Sequence, residues 1–208
     1  MTIKAVMFDF GGVITSSPFE AFAHLEQQRG LPAGFIRAVN ATNPDHNAWA
    51  RLERNEVDVD TFGVLWAEES RALGHELDGR LVLERLAGEI RPHMVAAIER
   101  CRESYKTACL TNNFAAAERE LSEGVQSVFA LFDVVLESRL LGVRKPDPRF
   151  YELACEDLGV RPHESVFLDD LGVNLKPARA LGMHTIKVED PDSALQELGD
   201  LLGLRLTR

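Results

Sequence analysis

One pattern recurs along most of this chain: a short apolar run, a few polar residues, then a helical stretch. The runs are "IKAVMFDFGGVIT" (Ile3–Thr15), "YKTACLTNN" (Tyr105–Asn113), "FDVVLES" (Phe132–Ser138), "ESVFLDD" (Glu164–Asp170) and "MHTIKVED" (Met183–Asp190). Each is brief, rich in Val, Ile, Leu or Phe, and ends in polar residues. That is how strands of a parallel sheet covered on both faces read. Helical patterns fill the gaps: "AAAERELSEGVQSV" at 115–128, "DPRFYELACEDLG" at 147–159, "NLKPARALG" at 174–182 and "PDSALQELGDLLG" at 191–203. Pro148 opens one of these, and Gly159 and Gly182 close two. Strands alternating with helices require right-handed crossovers, so the expected fold class is α/β, a Rossmann-like doubly wound parallel sheet.

Residues from Ser16 to Ile90 break the rhythm. "PFEAFAHLEQQRG", "GFIRAVNA", "HNAWARLERNEV", "DTFGVLWAEESRALG" and "LDGRLVLERLAGEI" all read as amphipathic helices separated by glycine or proline, with no convincing strand among them. An all-helical insertion over 16–90 is therefore expected, and residues 1–15 and 91–208 should form the α/β core. Phe19, Phe22, Leu25, Trp49, Leu52, Phe62, Leu65 and Trp66 recur at helical spacing, as the insertion's own core would. A chain of 208 residues, 45% hydrophobic, is long enough to bury such a core.

Charge narrows the partners. With 33 acidic and 23 basic residues, the net charge of −10 repels phosphate backbones and anionic lipid. Nucleic acid and membrane surfaces are thus poor partners, and an anionic substrate must be drawn in by a local site. No apolar run has the length to span a bilayer, and the first residues lack the charged and apolar regions of a signal peptide. Cys101, Cys109 and Cys155 form an odd set without metal-type spacing, as expected of reduced thiols in a cytoplasmic protein.

In open parallel sheets ligands bind beyond the carboxyl ends of the strands. There the first run delivers Asp9 just ahead of Gly11 and Gly12, with only Phe10 between. The second ends at Thr111, Asn112 and Asn113, and the fourth at Asp169 and Asp170. The loop after the third carries "GVRKPDP" with Lys145 and Pro146. An Asp before a glycine turn, a Thr-Asn pair or a lone lysine is, taken singly, an ordinary turn or surface feature. Together they gather a carboxylate, a hydroxyl, an ammonium and paired acids on one edge.

The set "FDFGGVI", "LTNN", "RKPDP" and "FLDDLGVN" resembles the four ordered motifs of the haloacid-dehalogenase-like (HAD) hydrolase superfamily, and the helical insertion resembles its C1 type of cap. The stretch from Leu110 to Leu202 is similar to the phosphatase-like N-terminal domain of soluble epoxide hydrolases and to the HAD domain fused to some acyl-CoA dehydrogenases. The resemblance implies a phosphatase in which Asp9 attacks phosphorus to form an aspartyl-phosphate. Lys145 would offset charge, Thr111, Asn112 and Asn113 would hold phosphoryl oxygens, and Gly11 and Gly12 would let backbone approach them. It implies Mg²⁺ held by Asp9, the Gly11 carbonyl, Asp169 and Asp170, with Asn174 in support; one or two carboxylates completed by phosphate and water suit that ion. The expected substrate is a small phosphate ester or acyl phosphate, amphiphilic by analogy with the epoxide-hydrolase domains, acted on by a monomer or homodimer.

One position departs from the pattern. Most phosphatases of the superfamily carry a second aspartate two residues after the nucleophile, which protonates the leaving group and later activates water. Here that residue is Gly11. Three readings follow: a phosphatase for good leaving groups or with another acid such as His24 or Glu20, a degenerate domain that binds without turnover, or a 2-haloacid dehalogenase, which needs no such acid. The paired acids disfavour the last, because the haloacid enzymes work without Mg²⁺.

Overall fold

A computed structural model describes residues 2–114 and 122–207. Strands β1 (Ala5–Phe8), β2 (Lys106–Thr111), β3 (Val134–Glu137), β4 (Ser165–Asp169) and β5 (His184–Lys187) form one sheet in the order β3-β2-β1-β4-β5. Every pairing is parallel. The first strand is thus the central one, and all four of its residues are fully buried.

Alternation along the strands sorts their side chains onto two faces. Val6, Phe8, Val166, Leu168 and Ile186 meet Met94, Ala97 and Ile98 of α6 (Pro92–Cys101) and Ala194, Leu195 and Leu198 of α11 (Pro191–Leu202). Ala5, Met7, Ala108, Leu110, Leu136 and Phe167 meet the other face, covered by Phe150, Tyr151, Ala154 and Leu158 of α9 (Pro148–Leu158) and Leu175 and Ala178 of α10 (Gly172–Ala180). The helix starts follow capping chemistry: Asp147 and Asp190 accept hydrogen bonds from the first turns of α9 and α11, each with proline just inside. Cys101, Cys109 and Cys155 are free and buried.

The expected helix over 115–128 falls partly outside the described residues; its later part is α7 (Glu123–Phe129). A one-turn helix, α8 (Ser138–Leu141), follows β3.

Between β1 and α6 lie α1 (Phe19–Arg29), α2 (Phe35–Ala41), α3 (Ala48–Glu53), α4 (Val59–Ala72) and α5 (Gly79–Leu83). They surround a separate apolar cluster that includes Phe22, Leu25, Leu52, Phe62 and Trp66, with Phe19, Trp49 and Leu65 packed on it. Phe114, just past β2, joins the same cluster. A buried carboxylate ties the first two helices: Glu26 accepts from the backbone N–H groups of Gly34 (2.7 Å) and Ile36 (2.8 Å), supplying the cap that α2 lacks locally.

The last expected helix of this region, Leu77–Ile90, contracts to α5. Backbone pairing outcompetes it: the Ser16 N–H donates to Glu89 O (2.8 Å), the Arg91 N–H donates to Ile14 O (2.9 Å), and Thr15 and Ile90 form an antiparallel bridge. Gly88 lies so close to the outgoing segment that a Cβ there would come within 2.6 Å of Ser16 O. Both connections of the insertion therefore run side by side. Among the described residues no helix is long and apolar enough to cross a membrane.

Candidate active site

Strand register builds the site. Phe8 is level with Cys109 on one side and Leu168 on the other. The next residue, Asp9, therefore leaves the sheet beside Asp169 and close to Thr111. The chain then turns through Phe10–Ile14, with Gly11 at φ −73° and Gly12 at φ +80°. The left-handed value at Gly12 suits glycine, and anything larger would have to displace a carboxylate: a Cβ there would sit 2.3 Å from Asp170 Oδ2. Gly11 is the reverse, since a Cβ built on it meets nothing within 4 Å.

Lys145 reaches this point from the loop after α8, with only 1% of its surface exposed. Its Nζ lies 2.8 Å from Asp9 Oδ1 and 2.8 Å from Asp169 Oδ2. The ammonium also lies 5.3 Å from the centre of the Phe167 ring. Asp9 Oδ1 further accepts from the Phe10 N–H at 2.7 Å. Asp169 is fully buried and accepts from the Leu171 N–H at 2.8 Å. Asn174 donates to both of its oxygens at 3.1 Å, and Tyr151 holds Asn174 in turn by donating to its carbonyl at 2.6 Å. Half-buried Asp170 completes the group: one oxygen from each of Asp9, Asp169 and Asp170 lies within 4.8 Å of the others.

Three carboxylates thus face one ammonium in a desolvated place. Burial raises the Asp9 carboxyl, and the charges of Asp169 and Asp170 outweigh enough of the pull from Lys145 to keep it high. Burial and the neighbouring Asp169 push Asp170 up to about 6. Burial alone would lower Lys145, but Asp169 and Asp9 overcome it and hold the lysine protonated. The donor set is all oxygen and carries excess negative charge, so it fits a hard divalent cation such as Mg²⁺.

The remaining expected residues separate. Thr111, at the end of β2, is buried, and among the described residues its hydroxyl makes no hydrogen bond. Asn112, expected to hold phosphoryl oxygens, has its amide engaged elsewhere: Oδ1 accepts from the Lys145 N–H and Nδ2 donates to Lys145 O, both at 2.9 Å. Asn113 turns to β3, where its Nδ2 donates to Glu137 and its backbone N–H to Ser138 Oγ (3.0 Å). Its Oδ1 is buried without a partner among the described residues. His24 and Glu20 both lie exposed on α1.

Sequence reading missed several supports. Arg91 donates to Gly12 O (2.7 Å) and Val13 O (2.9 Å), pinning the glycine turn from the far end of the insertion. Arg144 and Glu53 pair at 2.5 Å beside Asn112. Arg144 adjoins Lys145 in the quoted "RKPDP" and could have been flagged. Glu53, 91 positions away from it, carries no local signal.

The chain matches the model of haloacid dehalogenase-like hydrolases over residues 3–182. It is 39% identical over 98% of its length to acyl-CoA dehydrogenase family member 10 of Mus musculus, of which it covers 19%, and 31% identical over 99% to bifunctional epoxide hydrolase 2 of Sus scrofa, of which it covers 40%. It therefore spans well under half of those relatives. Phosphatase MT3486 of Mycobacterium tuberculosis is 31% identical over 91% of this chain and 88% of its own. Among solved structures, a HAD family enzyme of Bacteroides thetaiotaomicron in complex with magnesium and inorganic phosphate superposes with a TM-score of 0.58 (19% identity; 90% of this chain, 96% of that one). L-2-haloacid dehalogenase of Xanthobacter autotrophicus superposes with a TM-score of 0.60 (22% identity; 100% and 85%). At these identities the two superpositions establish a shared fold alone. With the family's model matched over most of its length, the chain belongs to the haloacid dehalogenase-like hydrolases.

Proposed function

We propose that this hydrolase is a Mg²⁺-dependent phosphatase that works through an aspartyl-phosphate at Asp9. The observation that carries the reading is the Lys145 ammonium, 2.8 Å from both Asp9 and Asp169 inside a ring of three carboxylates. Asp9, Asp169, Asp170 and the Gly11 carbonyl would hold the ion, which supplies positive charge to a phosphoryl group that the acidic protein would otherwise repel.

Asp9 Oδ1 is occupied by Lys145 and the Phe10 N–H, which leaves Oδ2 to attack phosphorus. A bond from Oδ2 to phosphorus forms as the bond to the leaving oxygen breaks; water then displaces the carboxylate, releasing phosphate and restoring Asp9. Lys145 offsets charge as it builds on the phosphoryl oxygens, and Thr111 offers them a hydroxyl. The helices α1–α5 act as a cap whose apolar residues pack on one another.

Gly11 sets the substrate class. General acid–base help is worth roughly 10²–10⁴-fold in rate, and Gly11 has no side chain to supply it. The preferred substrate is therefore a phosphate whose leaving group departs without a proton, such as an aryl or acyl phosphate. A small or amphiphilic acyl or aryl phosphate fits, by analogy with the epoxide-hydrolase relatives. The same glycine favours a second reading, a domain that binds phosphate without turnover. The carboxylate ring speaks against a metal-free dehalogenase.

Release of p-nitrophenol from p-nitrophenyl phosphate separates these readings. Activity that needs Mg²⁺ and vanishes in Asp9→Asn is the expected result, together with much slower hydrolysis of an alkyl phosphate. No turnover in the wild type would leave the binding reading standing, and halide release from a 2-haloacid without metal would restore the dehalogenase.

A further inference from the structure

Building on the phosphatase reading, we propose that Glu53, a residue of the helical insertion, is a positioning residue for Lys145, so that the lysine is set only when the insertion is seated on the core. Glu53 ends α3 and is 7% exposed. Its Oε1 accepts from Trp49 Nε1 at 2.9 Å. Its Oε2 accepts from two core groups, Arg144 Nε (2.5 Å) and Asn112 Nδ2 (3.2 Å). Arg144 also reaches the insertion through Nη1, which donates to Pro44 O at 3.0 Å.

Both core partners act on the lysine. Asn112 satisfies the N–H and the C=O of Lys145 with one amide, at 2.9 Å each, so its orientation sets the height of the lysine backbone above the sheet. Arg144 is covalently next to Lys145. The carboxylate thus fixes the amide that clamps the lysine and the residue that leads into it. Without Glu53, Arg144 becomes a largely buried cation that lacks its carboxylate, with 16% of its side chain exposed. Such a charge is driven toward water. The adjoining peptide would follow, drawing Nζ away from Asp9 and Asp169. A displacement of ~1 Å at a reacting group is felt as ~10²-fold in rate.

Two measurements on Glu53→Ala test this, with Glu53→Gln, which keeps the volume, as the substitute should the first not fold. Hydrogen exchange followed by mass spectrometry reads the lysine loop without any substrate. The peptide covering Arg144–Asp147 should exchange roughly tenfold faster, while β4 keeps its protection. In p-nitrophenyl phosphate hydrolysis, kcat per folded molecule should fall on the order of 10²-fold with KM little changed. Unchanged exchange in the loop overturns the proposal, as does an unchanged kcat in an active enzyme. An inactive wild type would sink the phosphatase reading, and the exchange experiment would still decide whether Glu53 holds the lysine.

Discussion

Asp9 has two unlike flanks. On one, Lys145, Asp169, Asn174 and Tyr151 interlock, and the Asp170 carboxylate stands so close to Gly12 that a methyl group there would have to displace it. On the other, Gly11 opens onto space in which a Cβ would touch nothing within 4 Å. The glycines are neighbours in sequence and opposites in role: one is required by what surrounds it, and the other is a position where a group could stand and does not. The difference separates two tasks of the proposed reaction. In that proposal the crowded flank presents the attacking oxygen and the lysine, while Gly11 offers no side chain to move a proton.

Removing the ammonium should break the crowded flank. Lys145→Met leaves three carboxylates facing one another, and loss of one partner from a buried ion pair costs about 3–5 kcal/mol. A chemical-denaturation midpoint in Mg²⁺-free buffer equal to that of the wild type would show that charge does not organise this side. The open flank is tested by filling it. Gly11 has an ordinary φ of −73° and empty surroundings, so Gly11→Asp should fold and raise turnover of an alkyl phosphate on the order of 10²-fold, about 2.7 kcal/mol of barrier. No gain would mean that another group already moves the proton.

Paired alanine substitutions compare the glycines directly. Gly12→Ala must displace Asp170 and hold φ at +80°, a loss of about 2–4 kcal/mol in thermal or urea unfolding. Gly11→Ala should stay within about 0.5 kcal/mol of the wild type. Similar losses at both would erase the distinction. The smallest effect concerns pH. Asp9 and Asp170 have raised pKa values in the ion-free fold, so the native state holds more protons than the unfolded chain above the ordinary aspartate range. Their contribution to stability is therefore present at low pH and lost as pH rises through about 6 and beyond. Between pH 5 and 8 the ion-free protein should lose stability, and the rise in Tm caused by Mg²⁺ should grow. A Mg²⁺ effect that is flat with pH would count against these carboxylates as its ligands.

Much of this was legible in the sequence because it is local. β1, β2, β4 and β5 lie within apolar runs whose polar ends include Asp9, Thr111 and Asp169, and β3 lies within "FDVVLES". Parallel register then brings those ends together without further information. The insertion's helices followed from their spacing and caps, except near Gly88, where pairing between segments far apart in sequence replaced a helix that local pattern favoured. Side-chain orientation was the part out of reach. Asn112 and Asn113 have the same composition and adjacent positions, yet one clamps the lysine loop and the other pairs with Glu137. Glu53 looked like any helix-end acid until the fold brought Arg144 to it.

The bridge between Thr15 and Ile90 has a wider consequence. The long excursion between these residues leaves and re-enters the sheet through one narrow neck, so β1 and α6 register only the spacing of its two ends. Closing a longer or shorter loop across a fixed gap changes the entropy only logarithmically. A different excursion, grafted at the same neck, would leave the carboxylates of the sheet edge where they are, but it would have to bring its own partner for Arg144 to keep the lysine-bearing loop in place.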